Sequence, residues 1–320
     1  GDNICIGSVE ELEKLSGKKV TDIHKHLMDE LVIKKNEKIY KKVPEVLDCW
    51  FESGSMPYGQ MHYPFENKEK LEDSFPAEFI AEGQDQTRGW FYTLHILATA
   101  LTRGKNPAIP KSESEPAFKN VIVNGIVLAE DGKKMSKRLK NYPDPMKILN
   151  TYGADAMRYY LATSPAMHAE NLNFSEKDVR EVYNKVVGTL SNVANMYFMY
   201  GDPKKDGTEK ISSNALDEWI LIKLEVLKTQ VTKKMDGYKL AEASRPILEF
   251  VTELSGWYVR RSRAKIKSKD SQALGTLHTI LNELSLVAAP FIPFIAEEIY
   301  KKLNENKESV HLESWPKYRK

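Results

Sequence analysis

Short apolar runs bounded by glycine and proline mark the first half of the chain. Residues 79–81 form one such run, which follows Pro76 and ends at Glu82-Gly83. Residues 121–123 form a second run, which leads into Asn124-Gly125 before the apolar pattern resumes at residues 126–128. Runs of this length between turn-forming residues predict buried strands.

A helical pattern separates these two predicted strands. Trp90, Leu94, Leu97 and Leu101 recur at the spacing of one helix face. The order strand, helix, strand predicts a crossover unit and therefore a parallel sheet.

The rest of the chain reads as helical. The segment up to about Tyr40 is charged and helix-capable, with Ser8 as an N-cap, and strand signals stop after Pro145. Ser175 is predicted to cap a further helix. The predicted helices span residues 146–162, 175–190, 214–235, 240–267 and 271–303, with a turn-rich linker at 201–207 and a break in the last helix at Pro290 and Pro293. The sequence thus predicts an α/β part followed by an all-α bundle.

Composition indicates the general class of protein but not its function. The 320 residues include 41% hydrophobic and 29% charged residues, which is typical of a folded globular protein. The formal net charge of +2 means that any RNA binding must use a local basic patch. The two cysteines, Cys5 and Cys49, stand far apart, so neither a zinc site nor a disulfide framework is expected. The absence of a long apolar run predicts no membrane partner and a cytoplasmic location.

The first candidate cluster is EGQDQTRGW, from Glu82 to Trp90. It lies where a predicted strand ends and a helix begins, which is where open parallel sheets bind ligands. Carboxylates at Glu82 and Asp85 suit an ammonium group, and Trp90 offers an apolar wall. An equally weighted alternative is a helix start with a core tryptophan.

The second candidate cluster is DGKKMSKR, from Asp131 to Arg138. A loop with flanking lysines can bind a polyphosphate, because ammonium groups follow phosphate oxygens as they move. The alternative is a solvated basic loop. The pattern is not a Walker A loop, since GxxxxGK[ST] is absent.

A basic run follows two aromatic residues near the end of one predicted helix. Residues 260–269 contain six cations and no acid, and Trp257 and Tyr258 precede them. Such a run could bind phosphates and stack an unpaired base. The alternative is a solvated helix end whose cations complement the helix dipole.

Taken together, these motifs resemble those of the class I aminoacyl-tRNA synthetases. The stretch KMSKR at Lys134 resembles the family's KMSKS signature. The segments DCWFESGSMPY at Asp48, EGQDQTRGWFYTL at Glu82, VIVNGIVLAEDGKKMSKRLKNYPDP at Val121 and YGADAMRYYL at Tyr152 resemble more narrowly the isoleucyl-tRNA synthetases of the eukaryote-like type. The segments WYVRRSRAKI and APFIPFIAEEIY resemble the family's anticodon-binding domain.

The resemblance implies a set of residue roles. Lys137 and Lys134 would be the catalytic residues, contacting the phosphates of ATP, which enters with Mg²⁺ as a substrate. The implied ATP-binding residues are Lys134, Met135, Ser136, Lys137, Asn124, Gly125 and Ile126. The implied aminoacyl-adenylate-binding residues are Glu82, Gly83, Asp85, Gln86, Trp50 and Trp90. The implied tRNA-binding residues are Arg260, Arg261, Arg263, Lys265 and Lys267. No protein-bound metal is implied.

The resemblance also implies a domain order and an incomplete enzyme. Residues 1–41 resemble the segment after the family's editing insert, and residues 42–146 the second half of a Rossmann-type catalytic domain. Residues 147–203 would form a stem-contact helical region, and residues 204–320 an anticodon-binding helical bundle. No HIGH signature is present. The chain is therefore expected to be the C-terminal portion of a longer synthetase, with the N-terminal portion as a partner, and to be inactive alone.

Two functional hypotheses follow. The first is a portion of an isoleucine–tRNA ligase, whose substrates are isoleucine, ATP and isoleucine-accepting tRNA. The second is a tRNA-binding or assembly module without a catalytic role. Protection of the Lys134 loop by ATP distinguishes them.

Overall fold

The computed structural model describes residues 2–103, 108–109, 116–207 and 214–317. The chain divides into two compact units, each of which is discontinuous in sequence. The first comprises Gly1–Asp73 and Gly89–Glu115, and the second comprises Ser74–Arg88 and Pro116–Lys320. No helix within the described residues is both long and apolar enough to cross a bilayer.

The first unit contains short helices and one hairpin. Ser8 caps the first helix by accepting a hydrogen bond from the backbone N–H of Glu11, as predicted. The hairpin corrects the prediction that the segment up to Tyr40 is helical, because Asn36 and Glu37 adopt the positive φ angles that a tight turn requires. Its elements are helices α1 (Val9–Ser16) and α2 (Lys25–Met28), strands β1 (Val32–Lys35) and β2 (Lys38–Lys41), and helices α3 (Cys49–Gly54), α4 (Met56–Gly59), α5 (Lys68–Ser74) and α6 (Trp90–Thr102).

A two-stranded parallel sheet opens the second unit. Strands β3 (Ala77–Gly83) and β4 (Phe118–Asn124) pair in parallel, and α6 lies between them in sequence. The predicted strands and their parallel direction are therefore confirmed. Their predicted burial is wrong, because Ile80 is the one buried residue of these two strands, and Phe79 and Val121 are 51% and 45% exposed. A second parallel pair joins β5 (Val127–Leu128) to β6 (Leu172–Asn173). The prediction that strands stop after Pro145 is wrong at β6, whose two residues are too few to give a sequence pattern.

Helices build the remainder of the second unit. Ser175 caps α8 by accepting from the backbone N–H of Asp178, as predicted. The linker predicted at 201–207 contains a short helix, capped by Asp202. The helices are α7 (Pro145–Thr163), α8 (Glu176–Val182), α9 (Thr189–Tyr200), α10 (Pro203–Asp206), α11 (Ala215–Asp236), α12 (Leu240–Glu253), α13 (Arg260–Lys267), α14 (Ser271–Ala288) and α15 (Pro293–Leu303), with π-helical turns at Tyr183–Gly188 and Leu254–Val259.

Two breaks shape these helices. The last predicted helix divides into α14 and α15 at Pro290 and Pro293, as expected. The helix predicted at residues 146–162 is interrupted at Gly153, whose φ of 80° lies outside the helical region. The prolines thus predicted the break between α14 and α15, whereas the break at Gly153 in α7 was not predicted.

The main core belongs to the helical bundle. Fully buried apolar side chains from α9, α11, α12, α14 and α15 form one cluster, which includes Ile220, Leu224, Leu277, Leu281 and Leu284. A smaller cluster beside β5 and β6 includes Ile148, Ala156, Tyr160, Leu172 and Val179. This smaller cluster lies next to the loop that carries KMSKR, called the signature loop below, and Met135 of that loop packs against it.

Candidate functional site

Strands β3 and β4 end level with each other, and two exposed carboxylates lie at this end, one in the last residues of β3 and one just after it. Gly83 pairs with Asn124 in the parallel register, so the two carboxyl ends meet at one edge. The side chains of Glu82 and Asp85 are exposed, and neither forms an ion pair with a described residue. This edge therefore presents two carboxylates that could bind an ammonium group.

Gly83 gives Asp85 the space it occupies. A Cβ atom at Gly83 would lie 2.6 Å from Oδ1 of Asp85, which is closer than real contacts allow. The amide of Gln86 donates a hydrogen bond of 3.3 Å to the other oxygen, Oδ2. The glycine and the amide together hold the Asp85 carboxylate beside the end of β3.

The two predicted tryptophans, Trp50 and Trp90, lie in the first unit. Trp90 is partly buried, and its indole Nε1 donates a hydrogen bond of 3.0 Å to the carbonyl of Ser53. Trp50 lies one turn earlier on the same helix as Ser53 and is 42% exposed. The indole of Trp90 therefore anchors α6 to α3, while the face of Trp50 is open. Their grouping with Glu82 and Asp85 remains a prediction.

The predicted Asn124-Gly125-Ile126 segment passes tightly over another part of the chain. The backbone N–H of Gly125 donates to the carbonyl of Ala166 at 2.8 Å. A Cβ atom at Gly125 would lie 1.7 Å from the carbonyl oxygen of Glu170. Ile126 accepts from the N–H of Leu172 and is partly exposed. Glycine at 125 is thus required by the fold itself, whether or not a nucleotide lies nearby.

The KMSKR segment begins on a tight hairpin. Ala129 donates to the carbonyl of Lys133 at 2.8 Å, and Leu128 forms an antiparallel bridge with Lys134. Asp131 accepts from the backbone N–H of Lys133, and the Lys133 side chain lowers the pKa of the Asp131 carboxyl by hydrogen bonding to it. The first lysine of the DGKK run is therefore already paired.

Asn141 braces the loop, and sequence reasoning missed it. Its Oδ1 accepts a hydrogen bond of 2.9 Å from the backbone N–H of Ser136, and its Nδ2 donates one of 3.2 Å to the carbonyl of Lys134. One side chain therefore fixes both sides of Met135. An Asn a few residues after a basic loop is the only signal that could have suggested this.

The remaining cations of the loop are free. Lys134, Lys137 and Arg138 are exposed, and none forms an ion pair with a described residue. Met135 is partly buried and packs against the cluster that contains Ile148. Lys137 lines an open cavity of about 420 Å³ with Lys140, Tyr142, Asp144 and Pro145. The loop is thus anchored through Met135 and Asn141, and it presents its ammonium groups to solvent.

The predicted RNA-binding cations share one exposed helix. The side chains of Arg260, Arg261, Arg263, Lys265 and Lys267 are exposed on α13 and form no ion pair with a described residue.

The two aromatic residues before α13 have different environments. The guanidinium of Arg261 lies 3.6 Å from the ring centre of Trp257, which is 49% exposed. Tyr258 is fully buried, and its hydroxyl donates to Asp217 at 2.8 Å. The suggestion that Tyr258 could stack a base is therefore wrong, because a π-helical turn directs it into the core. Trp257 alone offers an aromatic face.

The described residues contain no group of three or more His, Cys, Asp or Glu side chains placed to hold a metal ion.

Two family descriptions match the chain. Residues 1–173 match "tRNA synthetases class I (I, L, M and V)", and residues 217–320 match "Anticodon-binding domain of tRNA ligase". Together these matches cover the strands, the signature loop and most of the helical bundle.

Similar curated proteins are isoleucine–tRNA ligases. The protein of Chlamydia abortus is 49% identical over 99% of this chain, and that of Protochlamydia amoebophila is 47% identical over 99%. The chain spans 30% of the length of each of these relatives.

Two solved structures share the fold at low identity. The ternary LeuRS–tRNA–LeuAMS complex of Agrobacterium radiobacter has a TM-score of 0.67 and 20% identity, covering 89% of this chain and 35% of that one. The methionyl-tRNA synthetase of Mycobacterium tuberculosis in complex with methionyl-adenylate has a TM-score of 0.62 and 19% identity. The match covers 81% of this chain and 51% of that one. The expected fold, a Rossmann-like parallel sheet followed by a helical bundle, is confirmed.

Proposed function

The chain belongs to the class I tRNA synthetases, and from that premise we propose that it forms part of an isoleucine–tRNA ligase. In this proposal the whole enzyme activates isoleucine with ATP and transfers it to isoleucine-accepting tRNA. Identity near 48% over 99% of the chain to isoleucine–tRNA ligases supports the choice of amino acid. This chain supplies the signature loop, part of the adenylate site and a tRNA-binding bundle. A further portion of the same enzyme is then its partner.

The proposed reaction needs no nucleophilic side chain. A carboxylate oxygen of isoleucine attacks the α-phosphorus of ATP, the bond to the β-phosphate oxygen breaks, and pyrophosphate leaves. The terminal ribose hydroxyl of tRNA then attacks the acyl carbon, and AMP leaves. Catalysis of this kind rests on positioning and on stabilising charge. Mg²⁺ accompanies ATP as part of the substrate.

The residues take distinct parts in this proposal. Lys137 and Lys134 stabilise the negative charge that develops on the leaving pyrophosphate, and loss of one such contact costs roughly 10²–10³ in rate. Glu82 and Asp85 bind the ammonium of isoleucine, with Gln86 hydrogen-bonded to the Asp85 carboxylate and Gly83 leaving space for it. Trp50 and Trp90 form walls for the amino acid side chain. Asn124, Gly125, Ile126, Met135 and Ser136 lie near the nucleotide.

One observation carries the proposal: Lys134 and Lys137 are exposed and unpaired on a loop whose backbone is fixed by Asn141. Free ammonium groups on a braced backbone suit a multiply charged anion, since little order is lost on binding.

Hydrogen–deuterium exchange tests the nucleotide part. Addition of ATP and Mg²⁺ should slow exchange across residues 134–138. Lys134→Ala with Lys137→Ala should abolish that effect, whereas Lys133→Ala should keep it because Lys133 is paired with Asp131. Unchanged exchange with saturating ATP would favour the non-catalytic alternative. Absence of isoleucine-dependent ATP–pyrophosphate exchange by this chain alone remains a separate prediction.

A non-catalytic tRNA-binding module is the second candidate. The exposed cations of α13 favour it, because they bind RNA whether or not the loop binds ATP. Filter binding to isoleucine-accepting tRNA across a salt series tests this part. We expect affinity to fall steeply as salt rises, and no binding even at low salt would remove the RNA role from both candidates.

A further inference from the structure

Lys140 holds a backbone conformation that lysine rarely adopts. Its φ of 47° lies in the left-handed region, which glycine and asparagine enter more easily than other residues. The backbone N–H of Lys140 donates to the carbonyl of Ser136 at 3.0 Å, and the side chain of Asn141 fixes the same turn. These hydrogen bonds of the turn therefore hold the backbone of Lys140 in this conformation.

The same conformation places Lys140 in a cavity with Lys137. Both line the open cavity of about 420 Å³, together with Tyr142, Asp144 and Pro145. The Lys140 side chain is exposed and forms no ion pair with a described residue. Asp144, the one carboxylate among these lining residues, accepts from the backbone N–H of Met146 and caps α7. Two unpaired ammonium groups thus share one concave surface.

A shared concave surface suits a compact polyanion. Ammonium groups behave as point charges and adapt to phosphate oxygens in several orientations. Fields from like charges add within a cleft and raise the local concentration of anions.

We propose that Lys140 is a second cation of the polyphosphate site at Lys137, contacting the β- and γ-phosphates of the nucleotide and the departing pyrophosphate. This inference rests on the proposed function and extends it, because the signature motif ends at Arg138. Lys140 is a binding residue here: it neutralises charge beside Lys137 and takes no proton.

The test measures binding of inorganic tripolyphosphate to the 320-residue chain by isothermal titration calorimetry. We expect Lys140→Asn and Lys140→Gly to weaken binding by roughly tenfold, as loss of one charged hydrogen bond does. Lys140→Arg keeps the charge and should remain within about threefold. Asparagine and glycine both tolerate the left-handed conformation, so neither should lower the unfolding midpoint.

Lys301→Ala is the matched control. Lys301 is also an exposed lysine, but it lies on α15, outside the cavity and outside the basic run at residues 260–269. Its replacement removes the same charge, and tripolyphosphate binding should stay at the wild-type level.

Each remaining outcome is decisive. If wild type binds tripolyphosphate and Lys140→Asn binds it equally well, Lys140 is not part of the site and the inference is wrong. If Lys140→Asn weakens binding of tRNA but not of tripolyphosphate, the residue serves RNA phosphates instead, which also overturns it. If wild type does not bind tripolyphosphate, the proposed nucleotide site itself fails, and this result is distinct from the first.

Discussion

The carboxylate of Asp155 on α7 accepts a hydrogen bond of 2.7 Å from the backbone N–H of Ile295 on α15. Its other oxygen accepts one of 3.1 Å from Phe294. The residue at the N-cap position of α15, Ile292, has no side-chain acceptor, so Asp155 supplies the cap from a distant segment. Burial raises the pKa of the Asp155 carboxyl, although these two hydrogen bonds oppose the shift. The helix that follows the signature loop is thereby fastened to the last helix of the bundle.

Replacing Asp155 should destabilise the bundle. In Asp155→Ala the first N–H groups of α15 lose their acceptor in a buried environment, which costs about 1–3 kcal/mol. Urea unfolding followed by circular dichroism measures this loss. Glu249→Ala, at an exposed position within α12, should change the free energy of unfolding by less than about 0.5 kcal/mol. Equal stabilities of the two variants would show that the interhelical cap contributes nothing.

Two glycines should respond oppositely to alanine. At Gly125 the added Cβ atom meets the Glu170 carbonyl at 1.7 Å, so the crossing must open, at a cost of roughly 3 kcal/mol or more. At Gly256, in the π-helical turn, nothing lies within 4 Å, so alanine should stabilise by about 0.5–1 kcal/mol. Thermal unfolding of both variants checks the pair. A stable Gly125→Ala protein would mean that the chain does not cross Glu170 so closely.

Local interactions explain what could be predicted from the sequence. The caps at Ser8 and Ser175 depend only on the next three residues, so the pattern alone locates them. The strands that end at Gly83 and Asn124 follow from apolar runs and from the helical stripe between them. The KMSKR loop was predicted from the similarity of its sequence to the family's KMSKS signature.

Contacts between distant residues explain what could not be predicted. No local sequence pattern predicts the hydrogen bonds that Phe294 and Ile295 donate to Asp155, because 139 residues separate Asp155 from Phe294. The burial of Tyr258 depends on a π-helical turn, which shifts the side chains from the face that an α-helix would give. The role of Asn141 depends on the path of the loop's backbone, which brings the N–H of Ser136 and the carbonyl of Lys134 within hydrogen-bond distance of its side chain.

Removing the brace should loosen the signature loop. Asn141→Ala deletes both hydrogen bonds to the loop, and we expect amide exchange at Ser136 to accelerate roughly 10–100-fold. Asn141→Asp keeps the acceptor for Ser136 and loses the donor to Lys134, so its effect should be smaller. Asn192→Ala, at an exposed position on α9, serves as the control. Wild-type exchange at Ser136 in the alanine variant would show that another contact holds the loop.

His278 should make stability depend on pH. It packs edge-on against the Tyr197 ring at 5.9 Å, and burial lowers its pKa from 6.5, with a partly opposing effect of Asp206. Because the folded-state pKa lies below the unfolded value, unfolding takes up a proton in acid. The His278 contribution is therefore present above about pH 6.5 and lost as pH falls through the folded-state pKa.

Urea unfolding between about pH 5 and 7 tests this dependence, above the range in which most carboxyls titrate. His278→Gln should give a flatter profile of unfolding free energy against pH than wild type. His26→Gln, at an exposed position, should leave the profile unchanged. A profile for His278→Gln that parallels wild type would assign the pH dependence to other groups.

Base stacking on Trp257 and phosphate binding by the cations of α13 should be distinguishable by their different dependence on salt. Trp257→Ala removes the aromatic face beside Arg261, and base stacking on such a face contributes about 1–3 kcal/mol, so tRNA affinity should fall roughly 5–150-fold at every salt concentration. Arg263→Ala removes a cation that we propose contacts phosphate, so it should also reduce the dependence of affinity on salt. Trp257→Phe should retain most of the affinity, and Lys301→Ala on α15 should bind as wild type does. If Trp257→Ala instead changes the salt dependence and Trp257→Phe does not restore binding, Trp257 acts by orienting Arg261 toward phosphate, because only loss of a charge contact alters that dependence.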